Sequence, residues 1–214
     1  MIEPEKEVLT EQLRRLKGEL EETGLQRLYE EAMEVTIQAV REAAEELEAE
    51  YDREIVSSIT GRIKKAESIQ RKLYKKGCTV NAETAVCKLH DIAGVRAACF
   101  FLDDVYALAK RLKENDRLRV LKEKNYIEKP KNSGYKSLHL IVEVPLKEKR
   151  DIRYVKAEIQ LRTLAMDFWA DLDHRLCYKR ECKEVSEIQN NLREYAEIIS
   201  RVDGQMNRLL HRII

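Results

Sequence analysis

The sequence predicts an α+β fold, a mixed β-sheet flanked by helices with helical extensions at both ends. Three observations predict it. Two central segments alternate apolar and polar residues with the period of a strand. Both ends of the chain carry apolar residues at helical spacing. No internal repeat, low-complexity tract or flexible linker separates the parts. The 214 residues suffice for one core of ordinary size with extensions. The expected division is 1–56 as an N-terminal helical extension, 57–182 as the central domain, and 183–214 as a C-terminal helical extension suited to oligomer contact.

Residues 5–56 read as helical, broken at Gly24, with Leu25, Leu28, Ala32, Val35 and Ala39 near helical spacing. Residues 41–54 hold seven acids and two Arg, a solvated face or a neighbour for a basic helix. That basic helix is expected over 66–76, with Gly77 as its C-cap. Residues 91–101 read as a central strand rich in small residues. Asp103 and Asp104 read as the N-cap of a helix running through Glu114. A strand follows over 117–127, then an "EKPKNSG" loop. In 135–144, Leu138, Leu140, Val142 and Val144 share one face, and Tyr135, Ser137 and His139 the other. In 153–162, Val155, Ala157, Ile159 and Leu161 oppose Lys156, Glu158, Gln160 and Arg162. One sheet face is therefore apolar and the other polar. A helix over 163–178 carries a stripe of Leu164, Phe168, Leu172 and Leu176, which its spacing assigns to the core. Residues 184–212 read as an amphipathic helix or pair.

Composition narrows the function. A hydrophobic content of 43% supports a folded core, and 37% charged residues suit long solvated helices. The net charge of +1 argues against a general nucleic-acid coat. No apolar run of transmembrane length and no N-terminal signal pattern is present, so a cytoplasmic protein without membrane contact is expected. Five Cys without paired C-x-x-C spacing argue against a zinc ribbon or a disulfide framework.

Against that neutral background, residues 62–77 ("RIKKAESIQRKLYKKG") hold seven Lys or Arg and one Glu, a net +6. Ser68, Lys72 and Lys75 fall on one helical face, with Arg62 and Lys64 just upstream. Such a row suits phosphate. It also fits a solvated helix, although like charges at this spacing cost stability unless something neutralises them. Asp91, at the start of a central strand, and Glu158, on the polar face, are the two carboxylates that Mg²⁺ takes beside polyphosphate. Each alone also fits a cap or an ion pair. Tyr135, after the "KNSG" loop, suits stacking on a nucleobase or a plain strand entry. His139 suits a phosphate or hydroxyl contact, or a structural role. No P-loop or dinucleotide-binding glycine motif occurs.

Four blocks in order, "GRIKKAESIQRKLYKKG", "DIAGVRAACFFLDD", "NYIEKPKNSGYKSLHLIVEVP" and "KAEIQLRTLAMDFWADLDHRLCYK", resemble the synthetase domain of the RelA/SpoT family, and more narrowly the single-domain small alarmone synthetases. The resemblance spans about residues 58–180. It implies a nucleotidyltransferase-like fold and a Mg²⁺-dependent GTP/GDP diphosphokinase. In this chemistry the β,γ-pyrophosphate of ATP moves to the 3′-hydroxyl of GDP or GTP. It implies that Arg62 and Arg96 flank the adenine, and that Lys64, Ser68, Lys72 and Lys75 hold the ATP phosphates. Asp91 and Glu158 would bind Mg²⁺, with Glu158 also taking the proton of the acceptor hydroxyl. Tyr135 would stack on guanine, with Lys124, Lys131, Ser133, His139, Gln160 and Asp167 around the acceptor. It further implies a homo-oligomer, commonly a tetramer, that makes the alarmone and does not degrade it.

The chain departs from the family pattern in places. Asn125 stands where an Asp is expected, and Asp167 where relatives often carry Asn. Ile37, Arg41 and Ser58 do not together supply the combination of basic and aromatic residues expected of a product-activation site, and only Thr60 fits. Two other readings stay open: a toxin-like relative acting on adenosine nucleotides or tRNA, and a non-catalytic guanine-nucleotide or RNA-binding regulator.

Overall fold

The computed structural model describes residues 3–148, 151–177 and 184–213. Helices α1 (Glu3–Glu22) and α2 (Leu25–Tyr51) lead into strand β1 (Val56–Ile63). Then come α3 (Ala66–Lys75), α4 (Ala82–Lys88), β2 (Ala93–Cys99), α5 (Leu102–Lys113), β3 (Arg119–Asn125), β4 (Leu138–Glu148), β5 (Asp151–Thr163), α6 (Leu164–Cys177) and α7 (Glu184–Ile213). The five strands form one mixed sheet in the order β1-β2-β5-β4-β3. Only β2 and β5 pair in parallel; the other neighbours are antiparallel.

The alternation read in β4 and β5 sets the layers. Leu138, Leu140, Val142, Val144, Val155, Ala157, Ile159 and Leu161 are buried in the main core. Helices α2 and α5 cover that apolar face, α2 crossing β1, β2, β5 and β4. Thus α2, expected within an extension, shares the sheet's own core through Ala32, Ala39, Val40, Ala43 and Leu47. Strand β1 presses tightly on it. A Cβ at Gly61 would lie 2.7 Å from Ile37 Cδ1 and 2.8 Å from Met33 Sδ, so a side chain there would have to push those two side-chain ends aside.

Several expectations need correction. The N-terminal helical region ends at Tyr51, and β1 and α4 were not anticipated. Residues of β1 carry Ser, Thr and Gly, which hide a strand whose polar face is half of a site. Four of the acids in 41–54 bond away from the basic helix: Glu46 and Glu50 pair with Arg111, Glu42 pairs with Arg117, and Glu48 accepts from the Ile55 and Val56 amides. Helix α5 is capped at Phe101, not at Asp103 or Asp104. Asp104 lies at N3, takes the Phe101 amide at 3.0 Å, and is fully buried against Arg53 at 2.6 Å. The α6 stripe is not core: Leu164, Phe168 and Leu176 are exposed, while Met166 and Trp169, a neighbouring stripe, are buried. Helix α3 ends at Lys75 with Lys76 as its C-cap; Gly77, expected as the cap, stands one residue beyond it in the left-handed conformation with φ of 64°. Its Ile69 and Leu73 are buried in the main core. Among the described side chains Cys78, Cys87 and Cys99 are free thiols. Cys177 and Cys182 lie outside those side chains.

Candidate active site

Register places polar side chains in rows across the uncovered sheet face. One row runs Thr60, Arg96, Gln160, His139, Lys124 from β1 to β3. The next runs Arg62, Gly94, Glu158, Ile141, Lys122. Gly94 leaves an open lane between Arg62 and Glu158. Helix α6 stands over β2 and β5 as a wall. Between them lies a pocket of about 770 Å³, lined by Arg62, Asp91, Arg96, Tyr135, Glu158 and Gln160 of the expected residues, and also by Thr60, Arg162, Asp171, Asp173 and His174.

Asp91 sits in the bend just before β2, beside the Lys64 amide bond to Ile92 O. Its Oδ2 accepts from Lys64 Nζ at 2.8 Å and Lys72 Nζ at 2.7 Å. Burial pushes this carboxyl up, but the two lysines outweigh burial and hold it below its ordinary value. Of the cations on α3, Lys72 thus finds a carboxylate across the gap, which it shares with Lys64 just upstream of the helix. Ser68 lies on α3 and is half-buried, whereas Lys75 is exposed, and neither lines the pocket.

Glu158 is buried in the middle of the floor. Its Oε1 lies 3.2 Å from His139 Nδ1, and its Oε2 accepts from Gln160 Nε2 at 2.8 Å. Burial again pushes the carboxyl up. The hydrogen bond and charge of His139, with Gln160, bring it below its ordinary value, while the Asp91 charge opposes them. Glu158 is therefore an ionised acceptor at neutral pH.

The network continues toward the loop. His139 Nε2 meets the Tyr135 hydroxyl at 2.8 Å, and Arg162 Nη2 donates to the same hydroxyl at 2.7 Å. Arg162 also donates to Gln160 Oε1 at 2.9 Å and Asp167 Oδ1 at 2.9 Å. Tyr135 precedes β4 rather than lying within it. Its ring sits under Lys131 Nζ at 4.4 Å and Arg162 Cζ at 5.1 Å from the centroid. Burial lowers the Lys131 amine most, and the charges of Lys124, Arg162 and Lys72 lower it further against Glu158. Lys131 and Ser133 belong to the loop, and Lys124 stands beside His139 on β3. Asp167 is bound between Arg162 and Arg96 at 2.9 and 3.1 Å, and Arg96 also reaches Asp171 at 3.3 Å.

Sequence reading missed Arg162 and two acids of α6, Asp171 and Asp173. Arg162 was visible on the polar face of β5; the signal was its alternation with Gln160 and Glu158. The acids Asp171 and Asp173 gave none, since only the fold turns α6 toward the pocket.

Residues 61–183 match the family described as "region found in RelA / SpoT proteins". The chain belongs to the RelA/SpoT family. It is 46% identical over 145 residues to GTP pyrophosphokinase YwaC of Bacillus subtilis (strain 168), covering 68% of this chain and 69% of that one. Its fold is similar to that of small alarmone synthetase 1 from Bacillus subtilis bound to its product pppGpp, with a TM-score of 0.77, 32% identity, and coverage of 86% and 94% of the two chains. The same synthetase bound to AMPCPP gives a TM-score of 0.68 at 28% identity, with 86% and 94% covered. The mixed α+β architecture expected from sequence is the one these relatives share.

Proposed function

We propose that this chain is a (p)ppGpp synthetase that transfers the β,γ-pyrophosphate of ATP to the 3′-hydroxyl of GDP or GTP. The observation that carries the reading is the pair Asp91 and Glu158 on one pocket floor. Arg62 and Arg96 lie toward the β1 side, and Tyr135, Gln160 and Arg162 toward the β4 side. A pocket of about 770 Å³ suits substrates of nucleotide size.

In this reading Arg62 and Arg96 take the adenine, and Lys64, Ser68, Lys72 and Lys75 take the phosphates. Tyr135 takes the guanine, with Lys124, Lys131, Ser133, His139, Gln160 and Asp167 around it. Glu158 accepts the 3′-hydroxyl proton as that oxygen bonds to the β-phosphorus. The bond from the β-phosphorus to the oxygen bridging it to the α-phosphate breaks, and AMP leaves with the electron pair. His139 and Gln160 hold Glu158 ionised and oriented for that task. Positioning and charge neutralisation by the lysines and arginines supply most of the remaining rate.

Asp91 and Glu158 fit a divalent cation. Asp91 Oδ1 is buried with no hydrogen-bond partner among the described residues, and hard oxygen donors of this kind suit Mg²⁺. Among the described residues no group of three or more His, Cys, Asp or Glu is arranged for a metal, so phosphate and water oxygens would complete the shell. Mg²⁺ would neutralise charge on the transferred group.

A homo-oligomer, read as a tetramer, is supported by exposed apolar residues on α7, Tyr195, Ile198, Val202, Met206, Leu209 and Ile213, and by those on α6. The division at residues 56 and 182 and a cytoplasmic location belong to the same proposal. None of the described helices is long and apolar enough to cross a membrane.

The test is transfer of label from β,γ-labelled ATP with Mg²⁺ to GDP, GTP, GMP, ADP or tRNA, resolved by thin-layer chromatography. Label appearing as ppGpp or pppGpp is expected. Label on ADP or tRNA alone, or no transfer to any acceptor, would overturn the assignment.

A further inference from the structure

Helix α7 reaches the acceptor side of the site from behind. Arg193 Nε donates to the Asn132 carbonyl at 2.8 Å, and Lys136 Nζ donates to Ser200 Oγ at 2.6 Å. Between these anchors Gly134 adopts a φ of 93°. A Cβ there would lie 2.8 Å from Ala196 Cβ and 3.2 Å from Arg193 Cα, so the loop backbone lies directly on the helix. Trp169 Nε1 donates to Leu192 O at 2.8 Å, fixing α7 to α6. Tyr135 itself packs against the cluster formed by Trp169, Leu192 and Ala196. Thus Leu192, Arg193, Ala196 and Ser200, on one face of α7, contact the loop or the cluster behind Tyr135.

We propose that α7 is a positioning element for the acceptor nucleotide, with Arg193 and Ala196 setting where the Tyr135 ring meets the base. The inference rests on the reading of Tyr135 as the guanine contact. Neither residue lines the pocket, so each acts through the loop. The loop from Pro130 to Gly134 is not a strand, and α7 supplies the support that a sheet ladder would otherwise give.

The experiment is steady-state kinetics on the full chain for Arg193→Ala, Arg193→Lys, Ala196→Leu and Tyr135→Ala, varying acceptor and ATP separately. Loss of one such hydrogen bond is expected to raise the acceptor KM about 3- to 10-fold in Arg193→Ala. The ATP KM should stay within about twofold, and Arg193→Lys should recover part of the loss. Ala196→Leu should shift the acceptor KM in the same direction. Because the Arg193 side chain is exposed, the Arg193 variants decide the matter if Ala196→Leu does not fold. If Tyr135→Ala raises the acceptor KM but Arg193→Ala does not, or raises both KM values alike, the positioning role is overturned. If Tyr135→Ala leaves the acceptor KM unchanged, the guanine reading of Tyr135 falls and takes the inference with it.

Discussion

At the β1 end of the polar face, the cations are held in ion pairs with carboxylates, which the proposed nucleotide would replace: Lys64 and Lys72 with Asp91, and Arg96 with Asp167 and Asp171. At the β4 end, Glu158, His139, Gln160, Tyr135 and Arg162 bond to one another in a closed, mostly buried network. The first end stores its binding groups in exchangeable ion pairs. The second is built before any ligand arrives. The difference follows from the tasks proposed for them. Polyphosphate asks for many charges in tolerant geometry, whereas activating a hydroxyl asks for one base in a fixed place.

The comparison can be broken most severely at its centre. Glu158→Gln keeps shape and one acceptor but removes the base, and turnover should fall by about 10³-fold or more. Its melting temperature should stay within about 3 °C of the parent. Turnover near the parent level would remove Glu158 from the chemistry. Next comes Arg162→Met, on the prebuilt side. It strips bonds from the Tyr135 hydroxyl, Gln160 and Asp167 at once. Breaking such a buried set should cost about 3 kcal/mol. That corresponds to about 6–12 °C in a melt of a chain this size. A thermal scan unmoved by this change would show the network to be dispensable.

The two ends should also separate kinetically. Tyr135→Ala should raise the acceptor KM about 10- to 100-fold, with little change for ATP. Lys72→Ala should do the reverse and milder, raising the ATP KM by about 3- to 10-fold, because this lysine is 41% exposed and partly screened. The ATP effect should shrink as salt rises, and the acceptor effect should not. Equal responses in both substrates would erase the distinction.

The smallest effect is a matter of pH. Asp203 is buried beneath Thr163, and burial raises its carboxyl above the ordinary value despite the Thr163 bond and the Lys136 charge. A raised folded-state value means this group's contribution is fully present below the unfolded value and lost as pH rises through the folded one. Asp203→Asn lacks that loss. Its melting temperature relative to the parent should climb by about 1–3 °C from acid to neutral pH. Asp91 and Glu158, both lowered, act oppositely: their contribution is present above the unfolded value and fades as pH falls through the folded one.

The prebuilt side was more legible in the sequence than the exchangeable side. Period-two alternation in β4 and β5 announces both the sheet and which residues face the pocket, so Glu158, Gln160 and His139 could be grouped from the chain alone. Tyr135 was grouped with them but stands in the loop, because the Gly134 turn delays the ladder until Leu138. On the other side the basic helix was plain in its charge. Yet Lys75 points to solvent, and Arg62 stands on a strand that its Ser, Thr and Gly neighbours concealed. The α6 stripe misled for a related reason. Helical spacing says which residues share a face, not what covers it, and Phe168 at 60% exposure has nothing over it within the described chain.

The double grip of Lys64 and Lys72 on Asp91 has a consequence for which anions the site admits. An incoming ion must take those ammoniums away from a partner they already have. An ion of single charge that displaced Asp91 would offer the two lysines together no more charge than Asp91 already gives, so chloride or acetate gains little by the trade. A triphosphate brings several charges to the same place and can satisfy both lysines while releasing Asp91 for other duty. If Lys64 and Lys72 take the ATP phosphates as proposed, the site would discriminate by valence before any base or sugar is read.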